Sequence, residues 1–82
     1  MERREKLASI RKNMNLTQRD VVGLLNEIHN ISITESYYGM IEQGVRTPTL
    51  KIALAIANLF KSSPNDIFFN NKPNKKLGKT SA

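Results

Sequence analysis

The stretch from Leu16 to Pro48, LTQRDVVGLLNEIHNISITESYYGMIEQGVRTP, decides the fold of this 82-residue chain. It contains two segments of helical character, and each follows a threonine, Thr17 or Thr34, whose hydroxyl can cap the free backbone N–H groups of a helix start. Gly44 lies just past the second segment, where glycine commonly ends a helix. The stretch therefore predicts two short capped helices with a brief connection between them.

The first segment has a well-defined start and a less well-defined end. Asp20 follows Thr17 at the spacing of a capping box, and we expect the helix to reach His29 or Asn30. Gly23 inside the helix costs about 1 kcal/mol against alanine, which close packing against another helix would explain. The apolar positions recur at helical spacing: Val21, Leu24, Leu25, Ile28 and Ile31.

The rest of the chain predicts an all-α, compact five-helix domain with no strand. The helices are expected over Glu2–Asn13, from Thr17 to His29 or Asn30, over Glu35–Glu42, over Pro48–Phe60 with Thr47 as the cap, and from Ser63-Pro64 to about Phe69. On the first helix we expect a solvated charged face of Arg4, Lys6, Arg11 and Lys12. On the fourth we expect a buried side of Leu50, Ala53, Leu54, Ala57 and Phe60.

Composition divides the chain into a domain, residues 1–69, and a basic tail, residues 70–82, that we expect to be disordered. The net charge is +6, and the tail contributes four lysines and no acid, so charge says little about the domain itself. An excess of basic over acidic side chains favours polyanionic partners. No apolar run approaches the roughly 20 residues that cross a bilayer. We therefore expect no membrane association and a cytoplasmic, nucleoid-associated protein.

The residue types in the chain give little support for an enzymatic function. The chain has no cysteine and a single histidine, His29, which is most simply a helix-end residue. A metal site needs three or four converging ligands, and no Gly-rich phosphate loop is present. We expect no enzymatic activity, no metal and no cofactor.

Five helices with these boundaries resemble the Cro and phage-repressor (Xre) family of helix-turn-helix DNA-binding proteins, over about residues 5–69. Four marks in order carry the resemblance: Leu16-Thr17-Gln18, Ile41-Glu42-Gln43-Gly44, Arg46-Thr47-Pro48-Thr49-Leu50 and Ala55-Ile56-Ala57-Asn58-Leu59-Phe60. The run from Glu35 to Glu42 looks especially like small regulators of Gram-positive phages and mobile elements. The resemblance implies a sequence-specific regulator of transcription that binds double-stranded DNA, most plausibly a repressor.

The chain departs from the family between the second and third helices. It has about six extra residues near Asn26–Ile31, which as helix would add about 9 Å. One alternative is a longer second helix with Ile28 packed inward and Asn30 as the stop. The other is a bulged turn that tilts the third helix.

The resemblance places the base-reading positions at the start of the third helix. They fall on Thr34, Glu35, Ser36 and Met40, with Tyr37 beside them, while Tyr38 falls on a core position. A carboxylate at Glu35 can accept a hydrogen bond from the N4 amine of cytosine, or it can simply favour the helix dipole. Met40 can pack on a thymine methyl group, and the hydroxyl of Tyr37 can bond a phosphate.

Phosphate contacts are expected from the residues around this helix: Lys12, Gln18, Arg19, Arg46, Thr47 and Lys51. Contacts of this kind position a protein on DNA without reading its sequence. The alternative for each basic residue is an ordinary solvated charge. Glu42, an acid in a basic protein, is expected to pair with a basic group such as Arg11 or to cap the backbone of the next loop.

A core this small cannot bury every apolar side chain near the end of the domain, and Phe68 or Phe69 is expected to remain exposed. An exposed aromatic patch often marks a partner surface, and family members often pair through their last helices. We therefore expect a homodimer through Phe68 and Phe69, the alternative being that one phenylalanine closes the core and the other is an ordinary surface residue. The rival interpretation is an antitoxin-like module that uses this patch and the tail to neutralise a protein partner, with or without control of its own promoter.

Overall fold

The computed structural model describes residues 3–69, which form five helices and no strand. Their bounds are α1 Glu5–Asn13, α2 Gln18–His29, α3 Glu35–Gln43, α4 Leu50–Leu59 and a short π-helix, α5, Asn65–Phe69. The all-α, five-helix prediction is confirmed. The predicted disordered tail lies outside the described residues, and α1 begins at Glu5, three positions later than expected.

The second helix continues through the first part of the Asn26–Ile31 segment and ends at His29. Thr17 and Asp20 form the expected capping box, with the Asp20 N–H 3.0 Å from the Thr17 hydroxyl and the Thr17 N–H 2.9 Å from the Asp20 carboxylate. Asn30 ends the helix in the left-handed conformation, at φ 59°. The longer second helix is therefore correct, and the bulged turn is not formed.

The core lies between α1, α2, α3 and α4. Its largest fully buried side chains are Tyr38, Leu7, Leu25, Ile41, Ile56 and Val21. Tyr38 is thus a packing residue, as predicted, and burial raises the pKa of its hydroxyl. Tyr38 and Ile41 belong to α3, so one face of that helix packs in the core. The opposite face is exposed to solvent.

Three apolar residues that the sequence pattern places in the core are exposed. Ile28 is 59% exposed, because the chain reverses at Asn30 and brings Ile31, 7% exposed, into the core in its place. Leu50 and Leu54 are 64% and 47% exposed. They lie beside the buried face of α4, where the small side chains of Ala53 and Ala57 let the helix approach its neighbours closely.

The start of α4 was also predicted two residues too early. Thr49, not Thr47, caps the helix, and its hydroxyl accepts a hydrogen bond from the N–H of Ile52 at 3.3 Å. Pro48 is buried before the helix begins. Thr47 is therefore free of a capping role and exposed in the loop between α3 and α4.

Gly23 gives the first testable expectation. A β-carbon built at Gly23 meets no atom within 4 Å, so the predicted close packing is wrong. We expect Gly23→Ala to raise the free energy of unfolding by about 1 kcal/mol, because alanine loses less backbone entropy in a helix. Urea denaturation monitored by circular dichroism measures the change.

Gly39→Ala is the matched control for this substitution. A β-carbon at Gly39 would lie 3.2 Å from Oε1 of Gln18, so the gain in helix propensity is offset by displacement of that side chain. Equal gains at Gly23 and Gly39 would show that the space around the two glycines does not matter.

Candidate nucleic-acid interface

The start of α3 is presented to solvent. The hydroxyl of Thr34 caps it by accepting a hydrogen bond from the N–H of Tyr37 at 2.9 Å. Thr34, Glu35 and Ser36 are exposed, and Tyr37 and Met40 are half-buried. Of the five predicted base-reading residues, Glu35, Ser36 and Met40 share one accessible face of α3, whereas Tyr37 packs against the core.

A buried ion pair fixes the other end of α3. Nε of Arg11 lies 2.6 Å from Oε2 of Glu42, and Nη2 lies 3.1 Å from Oε1. Arg11 and Glu42 are only 8% and 2% exposed. The predicted pairing of Glu42 with Arg11 is confirmed, and the prediction of a solvated Arg11 is wrong.

Two further hydrogen bonds extend this ion pair to the start of α2. Arg11 donates to the carbonyl oxygen of Leu16 at 2.9 Å, and Nε2 of Gln18 donates to Oε1 of Glu42 at 3.1 Å. One carboxylate and one guanidinium thus tie α1, the residue before the Thr17 cap and the C-terminal end of α3 together. The bond from Gln18 joins α2 to α3 in addition to their packing in the core.

The charges of this network are stable at neutral pH. Burial raises the pKa of Glu42, but the hydrogen bonds from Arg11 and Gln18 outweigh it, so the pKa lies below its usual range. The hydrogen bond to Glu42 raises the pKa of Arg11. Glu42 is therefore an ionised acid neutralised inside the protein, and it presents no free negative charge to a polyanion.

A shallow depression on the protein surface joins α2 to α3. It is lined by Gln18, Glu35, Ser36, Gly39, Met40 and Gln43. Gly39 is buried beneath Gln18, so the absence of a β-carbon lets the amide of Gln18 lie against α3. Gln43, exposed and one helical turn beyond Met40, was missed by the sequence analysis although the spacing of Ser36, Met40 and Gln43 indicates one helix face.

The structure brings Arg19 to this surface. Its Nε lies 4.0 Å from Oε1 of Glu35, and both side chains are largely exposed. An exposed pair of this kind contributes little to stability, so Arg19 is available for another anion. Arg46 and Thr47 are exposed after α3.

The other two predicted phosphate-binding residues lie apart from the depression. Lys12 lines a shallow surface of α1 with Arg3 and Ser9. Lys51 lines a separate groove with His29 and Leu54. The structure therefore does not bring these two lysines together with the residues of α3.

The two aromatic residues of α5 have different environments. Phe69 is 44% exposed, whereas Phe68 is half-buried against the core. Their ring centroids are 6.1 Å apart. The aromatic patch proposed from sequence therefore reduces mainly to Phe69.

Residues 5–72 match the family model of a helix-turn-helix domain. Such a domain indicates a DNA-binding regulator. Neither the curated proteins nor the solved structures contain a match to the chain. In the part of the chain that the structure describes, no helix has the length and apolar character needed to span a bilayer. Within residues 3–69, acidic and histidine side chains form no group of three or more that could hold a metal ion.

Proposed function

The chain belongs to a family of helix-turn-helix domains, and from this premise we propose that it regulates transcription by binding a specific double-stranded DNA sequence through the start of α3. The observation that carries the proposal is the exposure of Thr34, Glu35 and Ser36 at the end of a helix whose other end is anchored by the Arg11–Glu42 pair. We place the protein with the Cro and phage-repressor (Xre) regulators and propose that it represses transcription by covering a promoter.

Each side chain of the proposed interface has a distinct task. Glu35 accepts a hydrogen bond from cytosine N4, Ser36 bonds either kind of base edge, and Met40 packs on a thymine methyl group. Tyr37 contacts sugar or phosphate. The phosphate-binding residues, which hold the helix in register, are Lys12, Gln18, Arg19, Arg46, Thr47 and Lys51.

The proposed regulator is a homodimer. The exposed ring of Phe69 at the end of the domain is the surface through which two copies would pair. A symmetric dimer presents two copies of α3 to half-sites about 34 Å apart on one face of the duplex. Such a protein would act in the cytoplasm, at the nucleoid.

Selection of bound DNA from a random pool tests this function. We expect the wild-type protein to enrich one motif, and Glu35→Ala to relax the preference at one base pair by about 1–3 kcal/mol of discrimination. Gln18→Ala is expected to weaken all sites alike, since a phosphate contact carries no sequence information. The enriched motif and the affinity for it are the two measurements.

Glu27→Ala is the matched control, because it removes the same charge from an exposed position of α2 outside the depression. It should leave both the motif and the affinity unchanged. No enriched motif with the wild-type protein would contradict the proposed function. An unchanged motif with Glu35→Ala would contradict only the role of Glu35.

The antitoxin-like function is the second candidate. It is favoured by four of the six large apolar side chains that remain exposed on the described domain, Ile28, Leu50, Leu54 and Phe69. A protein that copurifies with the chain in stoichiometric amount, and is released by a charged residue at one of these positions, would support it. Because Ile28, Leu50 and Leu54 take no part in the proposed DNA contacts or in the proposed dimer surface at Phe69, substitutions at these three positions separate the two functions.

A further inference from the structure

Arg4 makes contacts that the sequence pattern did not predict. Its Nη1 atom donates to the carbonyl oxygen of Ile41 at 2.6 Å and to that of Arg46 at 3.0 Å. Its guanidinium carbon lies 5.5 Å from the centroid of the Phe68 ring. Burial lowers the pKa of Arg4, but a guanidinium remains charged at any physiological pH. The expected solvated side chain is instead a bridge between α3, the loop that follows it and α5.

The loop after α3 is held from two sides at Arg46. Gly44 turns the chain at φ 83°, and the N–H groups of Val45 and Arg46 both donate to the carbonyl oxygen of Met40, at 3.0 and 3.2 Å. The carbonyl oxygen of Arg46 then accepts from Arg4. Both polar groups of the Arg46 peptide backbone are therefore bonded, one to α3 and one to Arg4.

The side chain of Arg4 is not needed to attach the N-terminus. The backbone N–H of Arg4 already donates to the carbonyl oxygen of Glu42 at 2.8 Å. What the guanidinium adds is a positive charge at the C-terminal end of α3, where the helix dipole favours a cation, and a bond to the loop. Removing it frees the carbonyl oxygen of Arg46 while the backbone attachment remains.

We propose that Arg4 is a positioning residue for DNA binding, which fixes the backbone of Arg46 so that the Arg46 side chain meets a phosphate. This inference rests on the proposed function. Arg4 itself touches no DNA in this arrangement. Its effect on affinity therefore passes through Arg46, and the two residues should not act independently.

A double-mutant cycle with Arg4→Met and Arg46→Ala tests the inference on the DNA site that the wild-type protein selects. We expect each single variant to weaken binding by about 5- to 10-fold. Each should also make the plot of the logarithm of the binding constant against the logarithm of the salt concentration less steep by about 0.9, the value for one phosphate contact. In the double variant the loss should be close to that of one single variant. Arg3→Met, which removes the same charge from the exposed neighbour of Arg4, should weaken binding less than about 2-fold.

Arg4→Lys keeps the charge beside Phe68 and covers the case in which Arg4→Met does not fold. Combined with Arg46→Ala, it should also give a loss of affinity smaller than the product of the two single losses, and the effect should be weaker than with Arg4→Met. Circular dichroism establishes that each variant is folded at the assay temperature. Losses that multiply in the double variants would overturn the inference and leave the proposed function standing. A wild-type protein that selects no DNA sequence would remove the proposed function, and the inference with it.

Discussion

Arg11→Met is expected to lower the free energy of unfolding by about 3–5 kcal/mol, because it leaves the Glu42 carboxylate buried without its counter-charge. Glu42 is 2% exposed, so water cannot replace the two hydrogen bonds that Arg11 donates. Of the polar contacts described, the bond from Gln18 at 3.1 Å remains. Urea denaturation at neutral pH measures the loss.

Lys12→Met is the matched control, since it removes the same charge from the next residue of α1, which is exposed. Its effect should stay within about 0.5 kcal/mol, as is usual for a surface substitution. The double variant Arg11→Met/Glu42→Leu should recover much of the stability, because it removes both buried charges. A double variant less stable than Arg11→Met would show that the pair does more than neutralise itself.

The loss should also depend on pH. In the wild-type protein the pKa of Glu42 lies below its ordinary value of 4.5, so its contribution to stability is complete above that value and is lost as the pH falls through the lower pKa of the folded state. In Arg11→Met the carboxylate is buried without a counter-charge, so burial is expected to raise the pKa of Glu42. The stability difference between the two proteins should therefore be largest at neutral pH, should begin to shrink as the pH falls through the raised pKa of Glu42 in the variant, and should shrink further below about pH 4.5 as the wild-type contribution is lost. A difference independent of pH would mean that lost packing, not the buried charge, causes it.

Helix boundaries could be predicted from sequence wherever local chemistry decides them. The Thr17–Asp20 box, the Thr34 cap and the Gly44 stop each depend on a few neighbouring residues. The start of α4 could not be predicted in this way, because Thr47 and Thr49 both qualify as caps. Burial of Pro48 against the domain, a tertiary effect, selects Thr49.

The buried faces of the helices were predicted less well, for a geometric reason. Spacing shows which residues of a helix share a face, but not how far the neighbouring helices extend to cover it. In the last turn of α2, His29 lies against α4, and Ile28 stays exposed although its spacing matches Leu25 and Val21. The left-handed Asn30 then sends Ile31 inward.

The contacts of the candidate site were also predictable only in part. The pairing of Glu42 with Arg11 could be predicted only as one of two alternatives, because the chain has 13 lysines and arginines and nothing in their spacing shows which of them is buried. The contacts of Arg4 could not, since its two carbonyl acceptors lie 37 and 42 positions away and carry no side-chain signal. Every residue has a backbone carbonyl group, so residue type does not indicate which carbonyl accepts a hydrogen bond. Bonds of this kind can be identified only in the folded structure.

Ser36→Asp is expected to weaken specific DNA binding on the order of 100-fold, or about 2.8 kcal/mol, while the domain remains folded. Ser36 is exposed in the first turn of α3, next to Glu35. A second carboxylate there would face phosphates and base-edge acceptors, and it would add a negative charge beside Arg19, the basic residue that lies near Glu35. The same carboxylate suits the N-terminal end of a helix, so thermal unfolding should occur at or slightly above the wild-type temperature.

Opposite changes in stability and affinity are what make this variant decisive. A substitution that merely damages the fold lowers both, whereas a charge placed at the DNA-facing end of α3 lowers affinity alone. Ser63→Asp introduces the same charge at an exposed serine just before α5, where the serine hydroxyl accepts a bond from the N–H of Asn65 that a carboxylate can also accept. Because no proposed DNA contact lies on α5, Ser63→Asp should bind within about 2-fold of the wild-type protein, the loss being only that of a distant, screened charge. Equal affinities of Ser36→Asp and Ser63→Asp for the selected site would mean that the start of α3 does not enter the groove.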